Sequence, residues 1–174
     1  MAIPRAMSLM MCAQRLWRRV RPWTESSKAT QHQAAARLSD WAATAFTEDG
    51  DDLVIAMEVR TYLTVVFRYA GKDTFQDGFR RALTDVLEDL VVGPELRESE
   101  LAAAVPICLR SLRDAPRREA LRTAEFMCGV ERSHHDDLRT VQLNLNKFPH
   151  GLPPHYVPVK AVRDLFGRPP RRPA

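Results

Sequence analysis

An alternation of apolar and polar side chains over residues 53–67 constrains the fold of this chain most strongly. Apart from Thr61 the odd positions are apolar, whereas the even positions include Glu58 and Arg60. Successive side chains of a β-strand point to opposite faces, so the pattern predicts a strand with one buried face. Because the segment is longer than most strands, we expect a bend, a bulge or a hairpin near Thr61.

An amphipathic helix is predicted directly after this strand. Residues 71–73 form a turn, and apolar side chains then recur at helical spacing from Phe75 to Leu90. Asp73 or Thr74 can cap the first turn, and the Gly-Pro pair at 93–94 ends the segment. The sequence therefore predicts a helix over residues 74–91.

Weaker patterns indicate the remaining elements. Residues 34–46 have apolar side chains at helical intervals, and residues 99–112 predict another helix with a kink at Pro106, whose ring removes an amide donor. Short alternations over residues 126–131 and 141–145 are typical of strands.

Together these elements predict an α+β fold in which a small antiparallel sheet packs against two or three helices. We expect a flexible basic N-terminal arm over residues 1–50, a compact α+β core over residues 51–148, and a Pro/Arg-rich C-terminal segment over residues 149–174. Within that last segment, residues 157–166 can dock on the core, and residues 167–174 are expected to be loose.

Composition excludes several classes of protein. With 174 residues, 45% of them apolar and 28% charged, the chain suits one folded domain rather than a disordered polymer. Its 7 Gly and 12 Pro exclude a collagen-like filament, and no internal repeat is present. Apolar runs are too short to span a bilayer, and no secretory signal begins the sequence, so we expect an intracellular protein.

Charge is divided by region. Residues 1–36 have a net charge of +5, residues 37–104 a net charge of −7, and residues 105–174 a net charge of +6. Basic ends flanking an acidic middle are typical of chains that attract RNA, an anionic lipid surface or a second copy. Arg makes up 22 of the 26 basic residues, which suits phosphate recognition, although a GC-rich gene gives the same bias.

The N-terminal arm supplies the predicted contacts with a membrane or with nucleic acid. Residues 7–20 suggest a short basic amphipathic helix, and tryptophans beside arginines suit a lipid headgroup interface. The alternative is a partly disordered arm, or a helix that packs on the protein's own core. The predicted contact residues are Arg15, Trp17, Arg18, Arg19, Arg21 and Trp23.

A second interaction motif lies near the C terminus. Pro153, Pro154 and Tyr156 fit the P-P-x-Y pattern that WW domains bind, because the two prolines favour an extended left-handed helix. The motif predicts a WW-domain partner, and an ordinary Pro-rich turn is the alternative.

Catalytic and metal-binding patterns are weak. Residues 134–137 read His-His-Asp-Asp, with Cys128 nearby, but adjacent histidines on a turn usually point apart, so a solvated loop is expected. The three cysteines, Cys12, Cys108 and Cys128, have no paired spacing and suggest free thiols. We therefore predict no enzyme, cofactor or metal site, with a catalytic use of Cys128 or the histidines as the remaining alternative.

The middle of the chain resembles the matrix proteins of rhabdoviruses. The resemblance covers roughly residues 52–146: a long strand at 54–60, an amphipathic helix at 74–90, a Gly-containing turn, another helix, and strands near 126–131 and 141–145. It implies a non-enzymatic protein that binds the viral ribonucleoprotein and the inner face of the envelope, self-associates and supports budding.

Such a protein would be found in the virion and in the host cytoplasm, peripherally at the membrane, with some members acting in the nucleus. The alternative function is a host-directed adaptor or RNA-binding regulator that uses its basic arms without a membrane. Self-association would place residues 15–21 of one copy on the acidic middle of the next, through several weak ion pairs acting together.

Overall fold

The computed structural model describes residues 8–23, 37–38, 40–104, 107–148 and 157–167. Within these residues the chain forms five strands and six α-helices. The strands are β1 (Ser8–Cys12), β2 (Asp40–Glu48), β3 (Asp51–Glu58), β4 (Thr64–Arg68) and β5 (Ile107–Ser111). The helices are α1 (Gln14–Val20), α2 (Lys72–Asp89), α3 (Pro94–Ala104), α4 (Ala115–Arg132), α5 (Leu138–Leu145) and α6 (Pro158–Gly167).

The five strands form one mixed sheet in the order β4-β3-β2-β1-β5. Strands β2, β3 and β4 are antiparallel neighbours, whereas β1 runs parallel to both β2 and β5. The α+β class is thus confirmed, and the prediction of a purely antiparallel sheet is wrong. Parallel pairing arises because the chain leaves β1 through α1 before it returns as β2, instead of turning back in a hairpin.

Of the bend, bulge or hairpin predicted near Thr61, the structure has the hairpin, between β3 and β4. Its turn is held by Glu58, whose side chain is fully buried. The Glu58 carboxylate accepts hydrogen bonds from the backbone N–H of Arg60 at 3.0 Å and from the N–H and the hydroxyl of Thr61 at 2.7 Å each. A buried carboxylate is stable here because these charge-assisted bonds replace its hydration.

Helices cover both faces of the sheet. On one face α1, α2, α3 and α6 contribute to a core that includes Trp41, Phe75 and Phe79. On the other face α4, through Leu121, and α5, through Val141, pack over Ile55 of the sheet. The prediction of α2 is confirmed, since its apolar side chains recur on the buried stripe, and the expected number of two or three helices is too low.

Residues 8–23, predicted as part of a flexible basic arm, belong to the folded domain. Strand β1 lies between β2 and β5, and its Met10 and Cys12 side chains are completely buried. The core therefore includes residues 8–23, and the arm boundary of 1–50 is wrong. At the other end α6 docks on the core through the buried Val162.

Several local sequence patterns predicted the wrong type of secondary structure. The predicted helix at 34–46 contains the start of β2, whose residues 41–46 are all buried because the sheet is covered on both faces. That burial removes the polar positions from which a strand is recognised. The alternations at 126–131 and 141–145 lie in helices α4 and α5, and the predicted helix at 99–112 ends with α3 and continues as β5.

One edge of the sheet is closed by side chains. At strand β4 the Thr64 N–H donates to Asn146 Oδ1 at 2.8 Å, and Asn146 Nδ2 donates to the Thr64 carbonyl at 2.7 Å. The Val66 N–H donates to Gln142 Oε1 at 2.8 Å, while Gln142 Nε2 donates to the Ala82 carbonyl at 2.9 Å. These buried amides of α5 and the residue after it replace the missing neighbouring strand.

Candidate functional site

The opposite edge of the sheet is strand β5, and it is open in the described part of the chain. The Leu112 N–H donates to the Cys12 carbonyl at 2.8 Å, so the backbone of this residue faces β1. Backbone groups of successive strand residues point to alternate sides, and those of Leu109 and Ser111 therefore point away from the sheet. No strand among the described residues pairs with this side of β5.

Positive charge is concentrated around the open edge. Residues 107–122 contain five arginines and two acidic residues. Each acid is held by a helical neighbour: Asp114 by Arg117 at 3.5 Å, and Glu119 by Arg122 at 3.3 Å. With five arginines and two acidic residues, the segment has a net charge of +3.

Three arginines carry the remaining charge, and we call them the basic face: Arg110, Arg113 and Arg118. All three side chains are exposed. Within the part of the chain that the structure describes, none of them takes part in an ion pair. A planar guanidinium with five N–H donors suits carboxylate and phosphate oxygens alike, so the basic face is suited to an anionic partner.

A groove of about 1200 Å³ adjoins the basic face at the carboxyl ends of β1 and β5. It lies between α1 and α4, and Ser111 and Arg118 belong to both the groove and the surroundings of the open edge. The Arg15 Nη1 and Glu125 Oε1 atoms form an ion pair at 3.2 Å between the two helices. In sheets with parallel strands this end is where ligands usually bind.

The rim of the groove is apolar on the α4 side. Phe126 is 70% exposed and Val130 is 39% exposed, although both lie on a helix with a large buried stripe. An exposed aromatic side chain beside unpaired arginines is a combination that is frequent at protein interfaces. The groove can therefore offer apolar contact area next to the charge of the basic face.

Two thiols lie near the groove but are not reactive. Burial raises the pKa of Cys12 to about 12, and burial also raises the pKa of Cys128 to about 12. Both side chains are inaccessible to solvent. Because the thiolate is the nucleophilic form, neither residue is suited to attack a substrate at neutral pH.

The two tryptophans predicted to enter a membrane pack on the protein itself. The Trp23 ring stacks on Tyr69 with centroids 6.2 Å apart and meets Phe75 edge-on at 5.7 Å. Trp17 is half-buried against the same core. This arrangement matches the alternative of an N-terminal helix that packs on its own core.

The predicted contact arginines are placed differently from one another. Arg15 pairs with α4 as described, and Arg19 lies over the Tyr69 ring at 5.2 Å and 3.3 Å from Asp52. A hydrogen bond from Thr47 and the charge of Arg19 hold the pKa of Asp52 below its usual range. The other two contact arginines, Arg18 and Arg21, are exposed.

The histidine-aspartate segment forms the connection between α4 and α5. His134 and His135 are exposed, and Asp137 caps α5 by accepting hydrogen bonds from the N–H groups of Arg139 and Thr140. Across the described residues no cluster of side chains is arranged to hold a metal ion, and no helix is long and apolar enough to cross a membrane.

The P-P-x-Y motif, Pro153 to Tyr156, lies outside the described residues, and its WW-domain partner stays a prediction. Sequence reasoning missed the basic face because residues 99–112 were assigned to one helix, which hides the edge position of β5. The run of five arginines over residues 107–122 was a visible signal. The arginines matter because β5 is an edge strand, and local sequence patterns do not predict the order of strands in a sheet.

Comparison with known proteins identifies the family but not an activity. A search of curated proteins gives no significant match. A family model described as "Domain of unknown function (DUF6933)" matches residues 9–159, which includes all five strands except Ser8 of β1, and the start of α6. The chain therefore belongs to the DUF6933 family.

Proposed function

We propose that the protein is a non-enzymatic binding protein whose basic face holds an anionic partner. The observation that carries the proposal is the group of three exposed arginines, Arg110, Arg113 and Arg118, beside a sheet edge that no described strand covers. An exposed ion pair contributes only about 0–1 kcal/mol, so the partner must engage several of these side chains together. The exposed Phe126 adds apolar contact area next to them.

The chemistry of the groove supports a binding role without catalysis. Its neighbouring thiols are buried and protonated, and the exposed histidines at 134–135 lie in the connection after α4 rather than in the groove lining. A base and a nucleophile must lie within hydrogen-bonding reach to act together.

The test is the binding of labelled polyanions to charge-reversal variants. Fluorescence anisotropy with a uridylate oligomer and with polyglutamate, and flotation with phosphatidylserine vesicles, cover the main chemical classes. We expect Arg110→Glu/Arg113→Glu to weaken binding of at least one probe by about tenfold or more. Arg80→Glu/Arg163→Glu is the matched control, because it changes net charge equally at exposed arginines on other helices.

Two results would contradict the proposal. One is that the wild-type protein binds none of the three probes at low salt. The other is an equal loss of binding in both charge-reversal variants, because that result assigns binding to net charge and not to the basic face.

A viral matrix role is one form of this function, since it requires RNA or an anionic membrane as the partner. Packing of Trp17 and Trp23 on the core means that such a role would rely on basic side chains such as Arg18 and on the basic face. Uridylate binding together with vesicle flotation supports the matrix role. Uridylate binding alone supports the RNA-binding regulator.

A further inference from the structure

The partner of the basic face can be specified further from the backbone of β5. Leu109 and Ser111 turn their N–H and carbonyl groups outward, as derived above from the Leu112–Cys12 hydrogen bond. Strand β5 is five residues long and is held on one side only, by β1. An open row of backbone donors and acceptors is a template for another extended chain.

We propose that this edge binds an extended acidic peptide segment of another protein, which adds a sixth strand to the sheet beside β5. The inference rests on the proposed function, because it names the class of anionic partner. Main-chain hydrogen bonds to Leu109 and Ser111 would fix the register of the peptide. Carboxylates of the peptide would meet Arg110 on β5 and Arg113 just after it.

Charge complementarity favours this occupant over a second copy of the same edge. Two β5 strands paired about a twofold axis would bring Arg110 and Arg113 of one copy close to the same residues of the other. Like charges across a strand pair are destabilising. The acidic helix α2, which contains five acidic and three basic residues, lies by the opposite edge and does not neutralise this region.

An acidic peptide and an RNA would use different groups of this edge. RNA would use the guanidinium groups through its phosphates and would not need the outward N–H of Ser111. A strand-forming peptide needs both the arginines and the backbone. The two partners are therefore distinguished by a substitution that removes only the backbone donor.

Ser111→Pro is that substitution. Proline is tolerated on an edge strand when the lost N–H faces outward, because no internal hydrogen bond is broken. Ser111 is exposed, so its side chain is expected to contribute little to folding. Ser111→Ala is the matched control, since it removes the hydroxyl and keeps the N–H.

The probe is a library of peptides of about six residues with Glu or Asp at alternate positions, the length of a typical strand. We take the strongest binder and compare it with the same peptide carrying N-methyl groups on alternate amides, which keeps charge and composition but prevents strand pairing. The full-length protein is used throughout, and circular dichroism and thermal unfolding confirm that each variant is folded.

We expect Ser111→Pro to weaken binding of the peptide by about tenfold or more, and Ser111→Ala to leave it unchanged. The N-methylated peptide is expected to bind the wild-type protein as weakly as the proline variant binds the parent peptide. If Ser111→Pro is not folded, the N-methylated peptide alone decides the question.

The inference is overturned if no peptide of the library binds, or if Ser111→Pro and the N-methylated peptide leave affinity unchanged. If the library fails while uridylate or vesicles still require Arg110 and Arg113, the proposed function stands and only the peptide is wrong. If the charge-reversal variant also keeps full binding of all polyanions, both proposals fail.

Discussion

The two edges of the sheet are built on opposite plans. At β4 the outward backbone groups of Thr64 and Val66 are bound by buried side-chain amides of Asn146 and Gln142. At β5 the outward groups have no strand partner in the described residues, and arginines surround them. Unpaired buried groups are costly and exposed ones are not. One edge therefore serves stability, and the other remains available for a partner.

The largest expected difference between the edges comes from a proline at Val66. Val66→Pro removes the N–H that donates to Gln142 and leaves a buried amide oxygen without its donor. The valine side chain is 3% exposed, so its packing contacts are lost as well. We expect the two effects together to lower the free energy of unfolding by about 4 kcal/mol. Urea denaturation measures it, and Val66→Ala separates the packing contribution. A loss equal to that of Val66→Ala would show that the hydrogen bond is unimportant.

A second large effect is expected for Asn146→Ala. The substitution removes the two hydrogen bonds that the Asn146 amide makes with the N–H and the carbonyl of Thr64, at a site with no exposure to solvent. Because losing one partner of a buried hydrogen bond costs about 1–3 kcal/mol, we expect a loss of about 3 kcal/mol. Asn144→Ala, the same truncation two residues earlier, removes one partly exposed bond to Glu131 and should cost about 1 kcal/mol. Equal losses in the two variants would refute the special role of Asn146.

A smaller effect with a defined pH dependence is expected at the start of α5. Hydrogen bonds from the hydroxyl and the N–H of Thr140 hold the pKa of Asp137 below its usual range. Its stabilisation is therefore present at pH values above about 4 and is lost as the pH falls through the lowered pKa.

We expect Asp137→Ala to cost about 1 kcal/mol at pH 7, with the difference from wild type shrinking as the pH falls through the lowered pKa of Asp137. Urea unfolding at several pH values measures both quantities. The neighbouring Asp136→Ala should change neither, because this exposed side chain takes no part in the cap. A difference that is constant with pH would contradict the capping role.

The smallest effect is expected at the open edge. Ser111→Pro should change the free energy of unfolding by no more than about 0.5 kcal/mol, since its N–H faces outward and position 110 is already extended. Thermal and urea unfolding of Ser111→Pro, compared with that of Ser111→Ala, measure this change in the free energy of unfolding. A loss as large as that of Val66→Pro would contradict an open edge at β5.

Helix α2 was predicted because its burial is one-sided, so its periodicity survives in the sequence. The hairpin was predicted from the alternation over residues 53–67, but the expectation of one buried face is wrong, because the structure buries both faces of β3. Strand β2, which is also buried on both faces, has no such alternation and was misassigned. Helix α5 was misassigned because Gln142 within it and Asn146 just after it are buried polar residues, whose partners lie 76 and 82 positions earlier in the chain.

The candidate site was less predictable than the fold. Arg110 and Arg113 stand out in composition, but only the sheet order places them at an edge. Charge segregation along the sequence was visible, and the expected free N-terminal arm was wrong because β1 is an interior strand. A basic strand and a basic flexible arm have the same composition, and only their long-range pairing distinguishes them.

The interior position of β1 has a consequence for how the protein is made. Ser8 is aligned with Ile107, and Leu9 with Asp40, so β1, which is synthesised before the other described strands, acquires its second neighbour only after the chain has grown by 99 residues. Contacts between such distant positions slow folding, because loop closure must precede the gain from pairing. During synthesis one side of β1 has no strand partner until β5 is made. The nascent chain therefore depends on protection from aggregation until its second half emerges.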